Sequence, residues 1–268
     1  MLDTRGGTKK CSENGVKKAK LSIGKTLVLG IMAGFFIAIA GNVAMLISLS
    51  VNQTVVSKLI EAAIFPLGLI LVVYNRAELF TGNNLMIISV YEKKIKIREL
   101  LKNWIVVYIG NLIGSLFVAA MFALGDVYSR FEHTYAERII STAAGKCQMS
   151  FDSAFFKGLV CNILVCFAVM LSVMIENNLG RIVGMFFPVM IFVFCGLEHS
   201  IANMSYISGG LFADMVYGNM GVNTAGLTWY KFFVGNLLPV TLGNIVGGIT
   251  VGSTYWYISR QETAKECQ

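Results

Sequence analysis

The chain has 268 residues, 56% of them hydrophobic and 14% charged, with a net charge of +7 and a mean hydropathy of +0.68. A soluble domain carries about 25% charged residues, so this composition excludes a water-soluble fold and belongs to an integral membrane protein. The positive balance does not describe a nucleic-acid surface either, because the basic residues flank apolar runs instead of forming one recognition face.

In chain order, residues 1–25 read as a basic tail with seven Lys and Arg. The apolar run 26–50 is too long for a signal-peptide core and lacks a small-residue cleavage site after it, so it is expected to stay as the first membrane helix. A weaker run, 59–74, is a little short of the roughly 20 residues that span a bilayer. It ends in the polar stretch A-E-L-F-T-G-N, from Ala77 to Asn83, and turns apolar again over 85–90. Strong runs follow at 104–124 and 158–175. A second weak run, 182–197, ends in L-E-H-S-I-A-N, from Leu197 to Asn203, and resumes over 201–217. The last span is 232–258. The expected fold is all-α, with six transmembrane helices of which the second and fifth are broken. It divides into a tail (1–25), a membrane domain (26–258) and a second tail (259–268).

Both breaks have the form E-x-x-x-x-N, Glu78 with Asn83 and Glu198 with Asn203, and each follows a run with one proline, Pro66 or Pro188. An interrupted helix in lipid leaves backbone groups unpaired, which is costly unless they line a site or cavity. Paired breaks in two halves of a chain point to a transport pathway. A second repeat supports the two halves: Asn103, Gly110, Asn111 and Gly114 recur at the same offsets as Asn236, Gly243, Asn244 and Gly247. More loosely, Gly30, Ala33, Gly34, Ala38 and Ala40 match Gly158, Cys161, Asn162, Cys166 and Ala168. Three crossings per unit is an odd number, so the two units must be inserted in opposite senses. Fifteen Lys and Arg fall on the side of the two termini against five on the other, which puts both termini in the cytoplasm.

Among the polar residues at membrane depth, His199 stands out, because ionisable groups there are functional by default and histidine titrates near neutrality. Lys157 opens the fourth span, where it either snorkels to the headgroups or faces a vestibule. Glu78 and Glu198 are expected to brace the loose backbone of the breaks, together with Asn83 and Asn203. Thr81 either bonds an anion or His199, or caps a half-helix. Phe65, Leu69, Phe80 and Phe192 are core residues or apolar constrictions. Arg76 is expected to pair locally with Glu78, and His133 in the polar connector 126–153 has no marked role. The six cysteines (Cys11, Cys147, Cys161, Cys166, Cys195, Cys267) are scattered, so no metal or redox site is expected, and no cofactor.

Four ordered motifs, A-E-L-F-T-G-N, K-G-L-V-C-N-I-L-V-C, G-L-E-H-S-I-A-N-M and N-L-L-P-V-T-L-G-N-I-V-G-G, resemble those of the formate/nitrite transporter family over about residues 20–260. Leu197 departs from the phenylalanine usual in that family's G-F-E-H-S. The resemblance implies an aquaporin-like protomer, assembled as a homopentamer in the inner membrane. It also implies passage of small monovalent anions such as formate, nitrite or hydrosulfide. It makes His199 the central histidine, Thr81 the loop threonine and Lys157 the vestibule lysine. Phe65 with Phe192 would form the outer slit and Leu69 with Phe80 the inner one, while Asn162 and Asn244 join the pathway. The alternative is an aquaporin-like channel for small neutral solutes, but its paired N-P-A motifs are absent. An intramembrane enzyme would need a nucleophile–base or metal set that one histidine does not supply.

Overall fold

Segments this apolar have no water to satisfy their backbone in lipid, so they close their hydrogen bonds as helices. The computed structural model describes residues 1–51, 53–218 and 220–266, among which there is no strand. Cys267 lies outside the described residues.

Helix α1 (Thr4–Ala19) precedes the first crossing, α2 (Ile23–Ser48). The second crossing is made of pieces. These are α3 (Thr54–Ile64) and α4 (Leu67–Tyr74), then, after the break, α5 (Phe80–Asn83), a 3₁₀ turn (Asn84–Met86) and α6 (Ile87–Tyr91). The third crossing, α7 (Ile97–Leu124), leads to α8 (Thr134–Cys147) and to the fourth, α9 (Phe151–Met174). Helices α10 (Asn178–Phe194) and α11 (Ser200–Tyr217) form the broken fifth crossing. A π-helical turn (Lys231–Leu237) opens the sixth, α12 (Leu238–Glu266). The wider turn sits just before Pro239, whose ring removes a donor and crowds the preceding carbonyl. The six-crossing all-α fold read from the sequence is therefore the observed one.

Two segments hold more structure than their polarity suggested. The tail contains α1, started by Asp3, whose side chain accepts from the Gly6 amide at 2.7 Å. It packs against α6, α9 and α12. The connector 126–153 contains α8, whose buried Tyr135, Ile139, Ile140, Ala143 and Cys147 lie against α11. Their three- and four-residue spacing is that of one helix face.

The two halves match element by element. Ser22 caps α2 and Ser150 caps α9, each through its hydroxyl. Helix α2 packs along α7, and α9 along α12. Small residues make this possible, as helix packing in lipid favours. A Cβ at Gly110 would stand 2.8 Å from the Leu27 carbonyl oxygen, and one at Gly243 would overlap the carbonyl oxygen of Phe155.

The upper half-helices end alike. The Arg76 amide bonds the Val73 carbonyl at 3.2 Å and the Ala77 amide bonds Val72 at 2.9 Å. At the twin end the Gly196 amide bonds Val193 at 3.0 Å and the Leu197 amide bonds Phe192 at 3.0 Å. This paired pattern ends a helix through one left-handed residue, usually glycine. Gly196 has φ +64°, and Arg76 takes φ +54° at the corresponding place. For a residue with a side chain that conformation costs roughly 1–2 kcal/mol.

Candidate functional site

Each break exposes backbone groups at membrane depth, and one asparagine from a neighbouring crossing receives them. Asn111 of α7 accepts from the Phe80 amide at 3.0 Å and donates to the carbonyls of Gly30 (2.8 Å) and Glu78 (2.9 Å). Asn244 of α12 does the same for the other break. It accepts from the Ser200 amide at 3.0 Å and donates to Gly158 (2.7 Å) and Glu198 (3.1 Å). Three bonds to backbone use up the Asn244 amide. It is a strut of the break.

The glutamates form a second matching set. Asn83 donates to Glu78 at 2.6 Å and to Asn103 at 2.8 Å. Asn203 donates to Glu198 at 2.6 Å and to Asn236 at 2.8 Å. Both carboxylates are buried, and a buried charge needs a cation. Lys18 of α1 supplies it to Glu78 at 3.1 Å, and Lys146 of α8 to both Glu198 oxygens at 2.9 Å. The expected Arg76–Glu78 pair does not form, because the left-handed turn at Arg76 leaves its side chain exposed and Glu78 goes to Lys18. Glu78 with Asn83, and Glu198 with Asn203, thus sit in one bonded set beside each break.

Lys157, for which the sequence leaves both a snorkelling and a vestibular position open, is half-buried. Its ammonium lies 4.0 Å from the Met149 sulfur, while its backbone carbonyl accepts from the Glu198 amide at 3.5 Å. The lysines that reach the breaks are Lys18 and Lys146, which the sequence reading did not single out. Their signal was present. Each stands four residues before the serine that caps the next crossing, Ser22 or Ser150.

Where the two breaks meet, Thr81 Oγ1 lies 2.9 Å from His199 Nε2, and both residues are buried. His199 is also the N-cap of α11, its Nδ1 accepting from the Ala202 amide at 3.1 Å. An Nδ1 that accepts carries no proton, so the neutral ring holds its hydrogen on Nε2 and donates it to Thr81. The threonine hydroxyl then keeps its own hydrogen for another acceptor. The other break has Leu79 where this one has His199.

Apolar residues flank the pair. Phe192 lies nearly parallel to the His199 ring, with centroids 5.9 Å apart, and meets Phe65 edge to face at 5.7 Å. Leu69 and Phe80 are buried in the same core, Phe80 against Tyr108 at 4.9 Å and Trp104 at 6.0 Å. Asn162 donates to Thr81 O (3.3 Å), Asn84 Oδ1 (2.8 Å) and Asn244 O (2.6 Å), which ties the threonine loop to α9 and α12. Beyond Leu69 a cavity of about 690 Å³ opens on the α1 side, lined by Lys17, Lys18, Lys25, Arg76 and Glu78 among others. Among the described residues no cluster of His, Cys, Asp and Glu is placed to hold a metal ion.

This architecture has known counterparts. The family model described as formate/nitrite transporter matches residues 7–257. A probable formate transporter of Methanothermobacter thermautotrophicus is 37% identical over 95% of this chain and 96% of its own. The formate channel FocA of Escherichia coli K12 is 36% identical over 95% and 93%. A transporter of Bacillus subtilis, YrhG, is 40% identical over 95% and 93%. Among solved structures, a pentameric formate channel with formate bound aligns with a TM-score of 0.76 at 34% identity, covering 88% of this chain and 97% of that one. An FNT family ion channel aligns with a TM-score of 0.83 at 27% identity, over 94% and 98%. These relatives are channels and transporters, not enzymes. With its broken crossings, its braced glutamates and its buried threonine–histidine pair, the chain belongs to the formate/nitrite transporter family.

Proposed function

We propose that this protein conducts small monovalent anions of weak acids, formate foremost and with it nitrite and hydrosulfide, through one pore in each protomer of a homopentamer. The observation that carries the reading is the Thr81–His199 contact at 2.9 Å. It is the polar step between two apolar constrictions, with a lysine braced on either break. The formate channels among the relatives and the pentameric state of one of them support it. The charge bias of the sequence supports an inner-membrane protein with the α1 face in the cytoplasm.

A bare anion crossing either constriction would lose several kcal/mol of hydration, as charged side chains do in a bilayer. Lys157, and on the α1 side Lys17 and Lys25, raise the local anion concentration, since Lys18 and Lys146 are committed to Glu78 and Glu198. The N-terminal ends of α5 and α11 add positive potential at the centre. His199 stays neutral, since taking a proton on Nδ1 would remove the N-cap of α11. The proton that neutralises the anion therefore comes from water, and the solute passes as its weak acid. Thr81, fixed by Nε2–H of His199, donates to a solute oxygen on the way. The proton is returned on the far side.

Proteoliposome flux of formate, nitrite and hydrosulfide, measured against external pH, tests this. Uptake should rise as pH falls to mildly acidic values, with one proton carried per anion. Electrogenic uptake insensitive to a proton gradient would reject passage as the acid. Conduction of glycerol with none of the three anions would favour the neutral-solute channel.

A further inference from the structure

Arg76 holds a left-handed backbone at φ +54° where the twin break has Gly196 at φ +64°. The helix-ending hydrogen bonds are the same in both halves, so glycine would serve the backbone equally well at residue 76. Among the described residues six non-glycine positions take positive φ, and Arg76 alone of them lines the cavity on the α1 side. Local strain of this kind collects at functional sites.

The surroundings say what that side chain is for. Arg76 lines the cavity of about 690 Å³ on the α1 side, together with Lys17, Lys18 and Lys25. The one carboxylate in that lining, Glu78, is already paired with Lys18 at 3.1 Å. Among the described residues no carboxylate lies within ion-pair distance of Arg76, Lys17 or Lys25. Three uncompensated cations therefore face a cavity whose lining includes Leu69.

We infer that Arg76, with Lys17 and Lys25, forms an anion station at this mouth that selects planar two-oxygen anions, formate and nitrite, over single-centre anions such as hydrosulfide. The inference rests on the anion-transport reading above and adds a specificity-determining residue to it. A guanidinium offers two parallel N–H donors that match two oxygens of one anion, whereas an ammonium acts as a point charge. Lys17 and Lys25 draw in any anion. Arg76 distinguishes among them by shape.

The test uses everted membrane vesicles, which present the α1 face to the medium, and compares the full-length protein with Arg76→Gly and Arg76→Lys. In Arg76→Gly the half-saturating concentration for formate and nitrite should rise about five- to tenfold, the worth of a charge-assisted paired contact. That for hydrosulfide should change by less than about twofold, because it loses only a screened charge. Arg76→Lys should give an intermediate value for the two-oxygen anions. The melting temperature of Arg76→Gly should rise, since glycine relieves the backbone, which separates lost selectivity from lost folding. Equal shifts for all three anions, or no shift, would overturn the inference while leaving the transport reading intact. A wild-type protein that carries none of the three would overturn the transport reading itself.

Discussion

Lys18 and Lys146 occupy the same place in the two repeats, and each sets its ammonium on the glutamate of one break, 3.1 Å from Glu78 and 2.9 Å from Glu198. One comes from α1 and the other from α8, the two helices that lie outside the six crossings. Each break is therefore braced twice, by an asparagine from the adjoining crossing and by a lysine from a helix docked on it.

Removing either lysine should unbalance a buried carboxylate. Lys146→Met is expected to destabilise the protein by about 1–3 kcal/mol, less than for a fully buried pair because Lys146 keeps some solvent contact. Adding Glu198→Gln should recover most of that stability without recovering flux. Thermal unfolding in detergent and anion flux on the same samples check both halves of the statement. Equal recovery of stability and flux would make Lys146 a structural cation only.

His199 makes two contacts, with Thr81 through Nε2 and with the first turn of α11 through Nδ1. His199→Phe loses both, and should nearly abolish flux and cost about 1 kcal/mol for the missing cap. His199→Asn keeps an N-cap acceptor, so it should fold and assemble normally and keep the wild-type dependence on pH, while its flux falls because Thr81 loses the Nε2–H that orients it. Thr81→Val should lower flux with no loss of stability beyond about 1 kcal/mol, the value of one hydrogen bond. Unchanged flux in both His199→Phe and Thr81→Val would take the pair off the pathway.

The close helix contacts give a steric prediction. Gly243→Leu must displace α9 from α12, because even its Cβ would overlap the Phe155 carbonyl oxygen, and Gly110→Leu must do the same between α7 and α2. Both should lose assembled protein on size-exclusion chromatography. Gly145 has nothing within 4 Å of the corresponding point, so Gly145→Ala should behave as wild type.

Cys11 reports on the seating of α1. Burial pushes its thiol up to about 12 from the usual 9.0, against the pull of nearby Lys18. A seated α1 keeps the thiol protonated, so seating is favoured below pH 9 and the advantage shrinks as pH rises from there towards 12. Maleimide labelling of Cys11 should be slow at neutral pH and should accelerate more steeply above pH 9 than exposure of a free thiol explains. Rapid labelling at pH 7 would show that α1 leaves its seat freely.

Much of this was legible in the sequence because polar residues are conspicuous against an apolar background. Glu78, Asn83, Glu198 and Asn203, and the Asn111/Asn244 match, stood out for that reason, and the six crossings with them. The lysines were harder. Lys157, between phenylalanines and an apolar run, looks more embedded than Lys146, which sits in a polar connector. Which of them reaches Glu198 depends on how α8 folds back onto α11, a tertiary contact that local composition does not record. Arg76 was misread for the opposite reason. Two residues from a carboxylate is close enough to suggest a pair, but the backbone turn between them decides where the side chain goes.

The exchange of His199 for Leu79 across an otherwise matched frame has a consequence for direction. On the transport reading proposed above, a solute entering from either face would meet a lysine on a braced carboxylate, then apolar residues, then the Thr81–His199 pair, although the two ends differ in having Arg76 or Gly196. A route that spends no energy has no forward or reverse sense of its own, whatever differs between its ends. On that reading, net movement would follow the gradients of the solute and of the proton that travels with it.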